Sequence, residues 1–262
     1  MTANAEWLIF NPSRSRARLR LYCLPHAGGG AASYATWANL LPPHVELCRV
    51  QLPGRENRLR EAPFAAITPL VEVLAKVLRP QLDLPFALFG HSMGALIAFE
   101  LARQLRRDGG ITPMQLFVSG RWAPHWPSPD PALAQLPDAE FIATLRARYN
   151  NIPDIVVNDP ELLAIYVPLL RADVTLLDTY VYTPDRVLDC PIVALGGVDD
   201  ERVPYASLEA WREHTTQSVR VRQFPGGHFY LQSGYPALLK VLAQELALPP
   251  QGGDYSMLTN RP

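Results

Sequence analysis

Ser92 is the residue best placed for nucleophilic chemistry, because it lies in a Gly-x-Ser-x-Gly segment over residues 90–94. An unbroken apolar run, Phe86 to Phe89, precedes the segment, and a helical pattern of apolar residues follows it. This pattern predicts a buried strand that turns sharply into a helix, with the two glycines leaving room for the turn. The Ser92 hydroxyl would then be exposed at the apex, with the positive end of the helix dipole beside it.

A serine nucleophile needs a base and an acid that orients the base, and both residue types follow predicted strands later in the chain. A Gly-Gly-His turn comes directly after the last predicted strand, so His228 is the predicted base. Two aspartates, Asp199 and Asp200, follow the preceding predicted strand, and the spacing from Gly197 favours Asp200, with Asp199 capping the turn. The chain order serine, acid, histidine is that of triads in the α/β-hydrolase fold.

A glycine-rich turn, Pro25 to Gly30, follows the strand predicted over residues 19–24. It lacks the Gly-Lys-Ser/Thr of a phosphate-binding loop and the spacing of a dinucleotide fingerprint. In a serine hydrolase, a backbone N–H near Ala27 can pair with the N–H of Met93 to bind the oxyanion of a tetrahedral intermediate. Ala27 and Met93 are therefore the predicted oxyanion hole.

Apolar strands and amphipathic helices alternate along most of the chain. Further strands are predicted over 45–52 and 114–119, and helices around 34–41, 67–82, 208–211 and 235–246. The alternation predicts a mostly parallel sheet flanked by helices, an α/β-hydrolase core formed by residues 1–121 and 190–248. Residues before 19 are either an edge strand or an ordered arm.

Residues 122–189 interrupt this alternation. Five prolines between 124 and 137 exclude a regular strand there,. Apolar spacing over 141–149 and 162–170 predicts helices, the second of them kinked or split by Pro168. We interpret the segment as an inserted helical lid that would roof the site and shape a substrate channel. Residues 249–262 are predicted to be a disordered tail.

The composition excludes several classes of protein. Hydrophobic residues make up 48% of the 262 residues, charged residues make up 19%, and the net charge is −1, which argues against disorder and nucleic-acid binding,. No apolar run approaches the roughly 18 residues of a membrane span, and no signal peptide is evident, so a cytoplasmic location is expected. Cys23, Cys48 and Cys190 lack metal-ligand spacing and are predicted to be buried free thiols, and neither a metal nor an organic cofactor is expected.

Five segments together resemble one family. They are Leu-Pro-His-Ala-Gly-Gly at 24–29, Gln-Leu-Pro-Gly-Arg-Glu-Asn-Arg at 51–58, Phe-Gly-His-Ser-Met-Gly-Ala at 89–95, Leu-Leu-Arg-Ala-Asp at 169–173 and Gly-Gly-His-Phe at 226–229. These segments resemble the type II thioesterases of polyketide and nonribosomal peptide synthesis, and the match covers nearly the whole chain, lid included. No catalytic position departs from the family pattern.

The resemblance implies an editing enzyme that hydrolyses stalled or wrongly loaded acyl groups from the phosphopantetheine arm of carrier proteins. It places the nucleophile on Ser92, the acid on Asp200, the base on His228 and the oxyanion donors on Ala27 and Met93. A single hydrolase domain accounts for the chain, so we expect it to meet its acyl or peptidyl carrier protein in trans. We also expect a monomer.

Because carrier proteins are acidic, arginines near the predicted entrance are candidate contacts: Arg55, Arg58, Arg60 and Arg121. Three alternatives stay open from the residues alone. They are a capped carboxylesterase or lipase acting on small oxygen esters, an inactive binding protein that uses the pocket as a receptor, and an acyl-transferring or macrocyclising enzyme.

Overall fold

The computed structural model describes residues 6–11, 16–128, 131–149 and 152–247. Its strands are β1 Leu8–Phe10, β2 Leu19–Leu24, β3 Val45–Val50, β4 Phe86–His91, β5 Gln115–Ser119, β6 Ile192–Gly197 and β7 Val219–Phe224. They form one sheet in the order β1-β3-β2-β4-β5-β6-β7. Among these strands, β1 is antiparallel to its neighbour β3, and the others are parallel. The predicted mostly parallel sheet is confirmed, and the N-terminal stretch supplies an edge strand.

The helices are α1 Ile67–Leu78, α2 Met93–Gly109, α3 Asp138–Tyr149, α4 Asp154–Asn158, α5 Pro160–Asp178, α6 Tyr205–Glu209, α7 Tyr230–Ser233 and α8 Tyr235–Glu245. Short 3-10 helices cover Ala31–Asn39, Glu56–Arg58, Arg79–Gln81 and Ala210–His214. The helix predicted around residues 34–41 is therefore a 3-10 helix that ends at Asn39. The spacing of three between Tyr34 and Trp37 puts both rings on one side of such a helix, where both pack on Phe89,.

Both faces of the sheet are covered. Leu19, Leu21 and Cys23 of β2 point to the face that carries α8 and the first 3-10 helix, whereas Tyr22 and Leu24 point to the face that carries α1 and α2. Because of this double cover, every residue of β2, β4, β5 and β6 is buried,. The three cysteines are buried and free, as predicted.

Helices α3, α4 and α5 lie between β5 and β6 in the chain, within the predicted lid segment. They share an apolar cluster that includes Phe141, Leu145, Leu170 and Val174. Pro168 does not split the second long helix, because α5 continues through it. A kink at Pro168 stays a prediction. Buried neighbours on both sides of Pro168 pack the helix in place despite the hydrogen bond that proline cannot donate,.

Parallel strands bring four loops to one edge of the sheet. The loops after β2, β4, β6 and β7 begin at residues 25, 92, 198 and 225, so all the predicted site residues lie at this carboxyl edge,. Within the described ranges, no helix is both long enough and apolar enough to cross a membrane. The predicted tail, 249–262, lies outside the described residues.

Candidate active site

Ser92 occupies the strained turn that its sequence pattern predicts. Its backbone has φ 55° and ψ −112°, a region that costs a non-glycine residue about 1–3 kcal/mol,. A Cβ at Gly90 would lie 1.9 Å from the Gly94 carbonyl oxygen, and one at Gly94 would lie 2.2 Å from the Leu24 carbonyl oxygen. Only glycine fits at either position. The turn therefore holds Ser92 at the junction of β4 and α2, above the end of the sheet.

His228 and Asp200 reach Ser92 in a continuous line of hydrogen bonds. Ser92 Oγ lies 3.0 Å from His228 Nε2, and His228 Nδ1 lies 2.7 Å from Asp200 Oδ2. Both the imidazole and the carboxylate are buried. A proton on Nδ1, held by the Asp200 carboxylate, leaves the Nε2 lone pair free to accept the hydroxyl proton of Ser92.

Asp199 is turned away from His228 and joins two loops. Its Oδ2 accepts a hydrogen bond from the Gly226 N–H at 3.2 Å, and its own N–H donates to the Gly226 oxygen at 3.0 Å. A Cβ at Gly197 would lie 2.3 Å from that same oxygen, so glycine is required for the two loops to approach. This contact sets the loop that carries His228, and the structure brings Asp200 rather than Asp199 to the imidazole.

The predicted oxyanion donors belong to two elements, Ala27 to the turn after β2 and Met93 to the start of α2. Met93 is the first residue of α2, where an N–H has no acceptor within its own helix,. Ala27 lines the same cavity as Ser92. Among the described residues, neither N–H donates to a protein acceptor. Both donors are therefore available for a substrate oxygen, and their catalytic role stays a prediction.

A cavity of about 240 Å³ opens at Ser92 and His228. The lid supplies much of its wall through the mostly apolar side chains Leu145, Tyr149, Leu170, Val174 and Leu177. The Tyr149 ring packs 4.8 Å from the His228 ring, centroid to centroid. An acyl chain attached to a carbonyl at Ser92 would find apolar surface here, as expected of the roofed channel.

A model of the thioesterase domain matches this chain from residue 19 to residue 246, so it covers both the core and the lid. The chain belongs to the thioesterase family. The sequence resemblance is therefore confirmed at the level of the family, and the fold and the hydrolase chemistry agree with it.

Known members resemble this thioesterase over nearly their full length. The gramicidin S biosynthesis protein GrsT of Aneurinibacillus migulanus is 43% identical, over 93% of this chain and 94% of GrsT. The structure of RedJ, a thioesterase of the prodiginine pathway of Streptomyces coelicolor, superimposes with a TM-score of 0.83 and 39% identity, over 90% and 93% of the two chains. BorB, a type II thioesterase from the borrelidin cluster, gives a TM-score of 0.81 and 39% identity, over 92% and 96%.

Two other histidines surround the thioesterase triad without contacting the nucleophile. His91 is fully buried, and its Nδ1 lies 2.9 Å from Ser119 Oγ. Burial holds the pKa of His91 well below its usual value and also lowers the pKa of His26,. Of these three histidines, His228 is the one whose ring lies within hydrogen-bond distance of Ser92 Oγ.

The arginines proposed as carrier contacts lie in very different environments. Arg55 is 4% exposed and Arg58 is 5% exposed, so the prediction that they are surface contacts is wrong. Each guanidinium instead pairs with an acid, Arg55 with the buried Asp173 and Arg58 with the exposed Glu61. Arg60 is exposed and stays a candidate contact.

Arg121, the fourth of these arginines, lines the acyl cavity. Its guanidinium lies 4.0 Å from the centre of the Trp122 ring. Burial lowers the pKa of Arg121 to about 10,. The side chain therefore belongs to the pocket wall rather than to an outer docking face.

Residue-by-residue reasoning did not assign a role to Asp173, although it ends one of the five family segments. Asp173 is 1% exposed, and its carboxylate accepts two hydrogen bonds of 2.8 and 2.9 Å from the Arg55 guanidinium. A sequence signal was present: Asp173 falls on the apolar face of α5, three residues after Leu170 and four before Leu177,. An acid on the buried face of a helix requires a partner.

Proposed function

We propose that this thioesterase hydrolyses aberrant or stalled acyl groups from the phosphopantetheine arm of carrier proteins of a nonribosomal peptide or polyketide synthase. The observation that carries the proposal is the similarity over nearly the full length, lid included, to BorB, a type II thioesterase. The named pathway of GrsT, gramicidin S biosynthesis, supports the same class of synthase. Hydrolysis releases the acyl group as a free acid instead of building it into the product of the synthase, which is what an editing role requires.

The proposed reaction has two halves, both centred on Ser92. His228 Nε2 takes the Ser92 proton as the oxygen attacks the thioester carbonyl, and the N–H groups of Ala27 and Met93 stabilise the oxyanion. The C–S bond then breaks, and His228 gives its proton to the departing thiolate. In the second half, His228 deprotonates water, which attacks the acyl-serine and releases the carboxylic acid, so that Ser92 recovers its proton. Asp200 fixes the imidazole and stabilises its charged form throughout.

The proposal includes a monomeric, cytoplasmic enzyme that meets acyl or peptidyl carrier proteins in trans and needs neither a metal nor an organic cofactor. The triad supports the last point chemically, because it supplies both the nucleophile and the base that a hydrolase needs. The phosphopantetheine arm arrives with the carrier protein as part of the substrate.

The test compares three acetyl donors: acetyl-phosphopantetheine on a carrier protein, free acetyl-pantetheine thioester, and the oxygen-ester isostere of acetyl-pantetheine. We expect release to be fastest from the carrier protein, slower from the free thioester and slowest from the oxygen ester. The rates should be equal with and without EDTA. The Ser92→Ala variant serves as the blank for each donor.

Two outcomes would contradict the proposal. If the protein cleaves the oxygen ester but releases nothing from the carrier protein, it is a capped carboxylesterase. If a cyclised or transferred acyl product replaces the free acid, the editing role fails even though the triad chemistry stands.

A further inference from the structure

The turn that carries Ala27 is closed by a single hydrogen bond of its own. The Gly29 N–H donates to the His26 oxygen at 3.0 Å, which places Ala27 and Gly28 at the centre of a four-residue turn. Gly28 has φ +73°, the value required at the third position of a type II turn,. A flip of the peptide between Ala27 and Gly28 to the type I arrangement would change ψ of Ala27 and the direction of the Gly28 N–H. The Ala27 N–H belongs to the preceding peptide, so its direction depends on how the whole turn is held.

The N–H of the peptide between Ala27 and Gly28 is held by the lid. The Gly28 N–H donates to Asp173 Oδ2 at 2.8 Å, across 145 residues of sequence. Helix α5 also contacts the turn sterically, since a Cβ at Gly28 would lie 2.2 Å from the Tyr166 hydroxyl oxygen. A peptide flip would remove the hydrogen bond and leave a buried carboxylate short of one donor, which is costly.

Arg55 binds the Asp173 carboxylate and also forms a hydrogen bond to the turn. Its two terminal nitrogens form a bidentate pair with Asp173, and Nη1 also donates to the Gly29 oxygen at 2.9 Å. The Arg55 carbonyl in turn accepts from Gln51 Nε2, and Gln51 Oε1 accepts the Ala31 N–H at 2.8 Å. The lid thus holds Gly28, Arg55 holds Gly29, and Gln51 holds Ala31, two residues after the turn.

We propose that Asp173 is a positioning residue, which docks α5 onto the turn and holds the Ala27 N–H in the orientation that hydrolysis requires. The inference rests on the proposed function, because it assigns Ala27 to the oxyanion hole. The lid helix that lines the cavity through Leu170 and Val174 then also sets an oxyanion donor. Helix α5 then has two roles: it roofs the pocket, and its docking on the turn is required for rapid hydrolysis.

The test measures hydrolysis of free acetyl-pantetheine thioester by the Asp173→Asn variant. Removing an oxyanion donor costs about 10²–10³-fold in kcat in other hydrolases, and a misplaced donor costs less. We expect kcat to fall about 10- to 100-fold, with KM changed by less than about threefold. Arg55→Lys, which keeps the charge but loses the bidentate geometry, should show a smaller loss of the same kind.

Two inhibitors separate positioning from a merely structural role. A trifluoromethyl ketone analogue adds to Ser92 and forms an oxyanion, whereas a thioether analogue fills the pocket without reacting. Asp173→Asn should lower the affinity for the ketone by the same factor by which it lowers kcat/KM, and it should leave the affinity for the thioether unchanged. The matched control is Glu46→Gln, which breaks the part-buried ion pair of Glu46 with Arg20 on the sheet. This variant should leave kcat/KM, the affinity of the ketone and the affinity of the thioether unchanged.

The inference is wrong if a folded Asp173→Asn variant keeps the kcat of the wild type, or if both inhibitors weaken equally. If Asp173→Asn fails to fold, the same comparison on Arg55→Lys decides the question. Ser92→Ala distinguishes this failure from failure of the proposed function. If Ser92→Ala abolishes hydrolysis while Asp173→Asn does not impair it, the triad stands and only the positioning role is lost.

Discussion

Replacing Ser92 by alanine is expected to lower kcat for acyl-thioester hydrolysis by at least about 10⁴-fold, because no other group can form the acyl-enzyme. The residual rate would come from binding and the oxyanion donors alone. Alanine has the same Cβ as serine, so the strained backbone at residue 92 is kept and only the hydrogen bond to His228 is lost. Steady-state kinetics and a thermal melt measure the two effects.

A suitable control for this variant is Ser207→Ala. Ser207 is a fully buried serine on α6, and its hydroxyl donates to the Pro204 oxygen rather than to a histidine. We expect Ser207→Ala to retain kcat within about threefold while losing a comparable hydrogen bond. Hydrolysis by Ser92→Ala at more than about a hundredth of the wild-type rate would show that the nucleophile lies elsewhere.

Asp200→Asn is expected to reduce kcat by about 10⁴-fold, although the asparagine side chain has nearly the same shape as that of aspartate. An amide can offer an N–H to His228 Nδ1, which then has to act as an acceptor and carries its proton on Nε2 instead. In that tautomer Nε2 cannot take the proton of Ser92, which it faces at 3.0 Å. The measurement is kcat for acetyl-pantetheine hydrolysis, with the fold checked by circular dichroism.

The adjacent aspartate provides the matched comparison. Asp199→Asn retains an oxygen that can accept the Gly226 N–H, so we expect less than about a threefold change in kcat,. A larger loss in Asp199→Asn than in Asp200→Asn would reverse the assignment of the acid. Equal small losses in both would exclude an orienting carboxylate altogether.

The elements that the sequence predicts well are those set by local pattern. The run of apolar residues before Gly90 and the glycines at 90 and 94 demand a strand, a tight turn and a helix, and the structure has all three. Gly197 permits the close approach of the two loops after β6 and β7, and its spacing to Asp200 predicts the acid that the structure brings to His228. In these places the constraint lies within a few residues or in a backbone contact that only glycine permits.

Long-range pairing of charges was not predictable in the same way. Arg55 was a candidate contact because it lies near the predicted entrance, but its partner Asp173 is 118 residues away on the lid. A sequence shows that α5 carries an acid on its apolar face, without showing which cation meets it. The continuity of α5 through Pro168 has a similar cause, because buried packing on both sides outweighs the local preference of proline to end a helix,.

The most direct test of the account is to map the acyl-enzyme. The wild-type protein would be mixed with a carrier protein bearing acetyl-phosphopantetheine, quenched in acid within the first turnovers, digested and analysed by mass spectrometry. The account predicts one acetyl group on the peptide containing Ser92, formed as the carrier protein loses its acetyl group and absent in Ser92→Ala. Acetyl release from the carrier protein without any adduct at Ser92, or with an adduct on another residue, would contradict it.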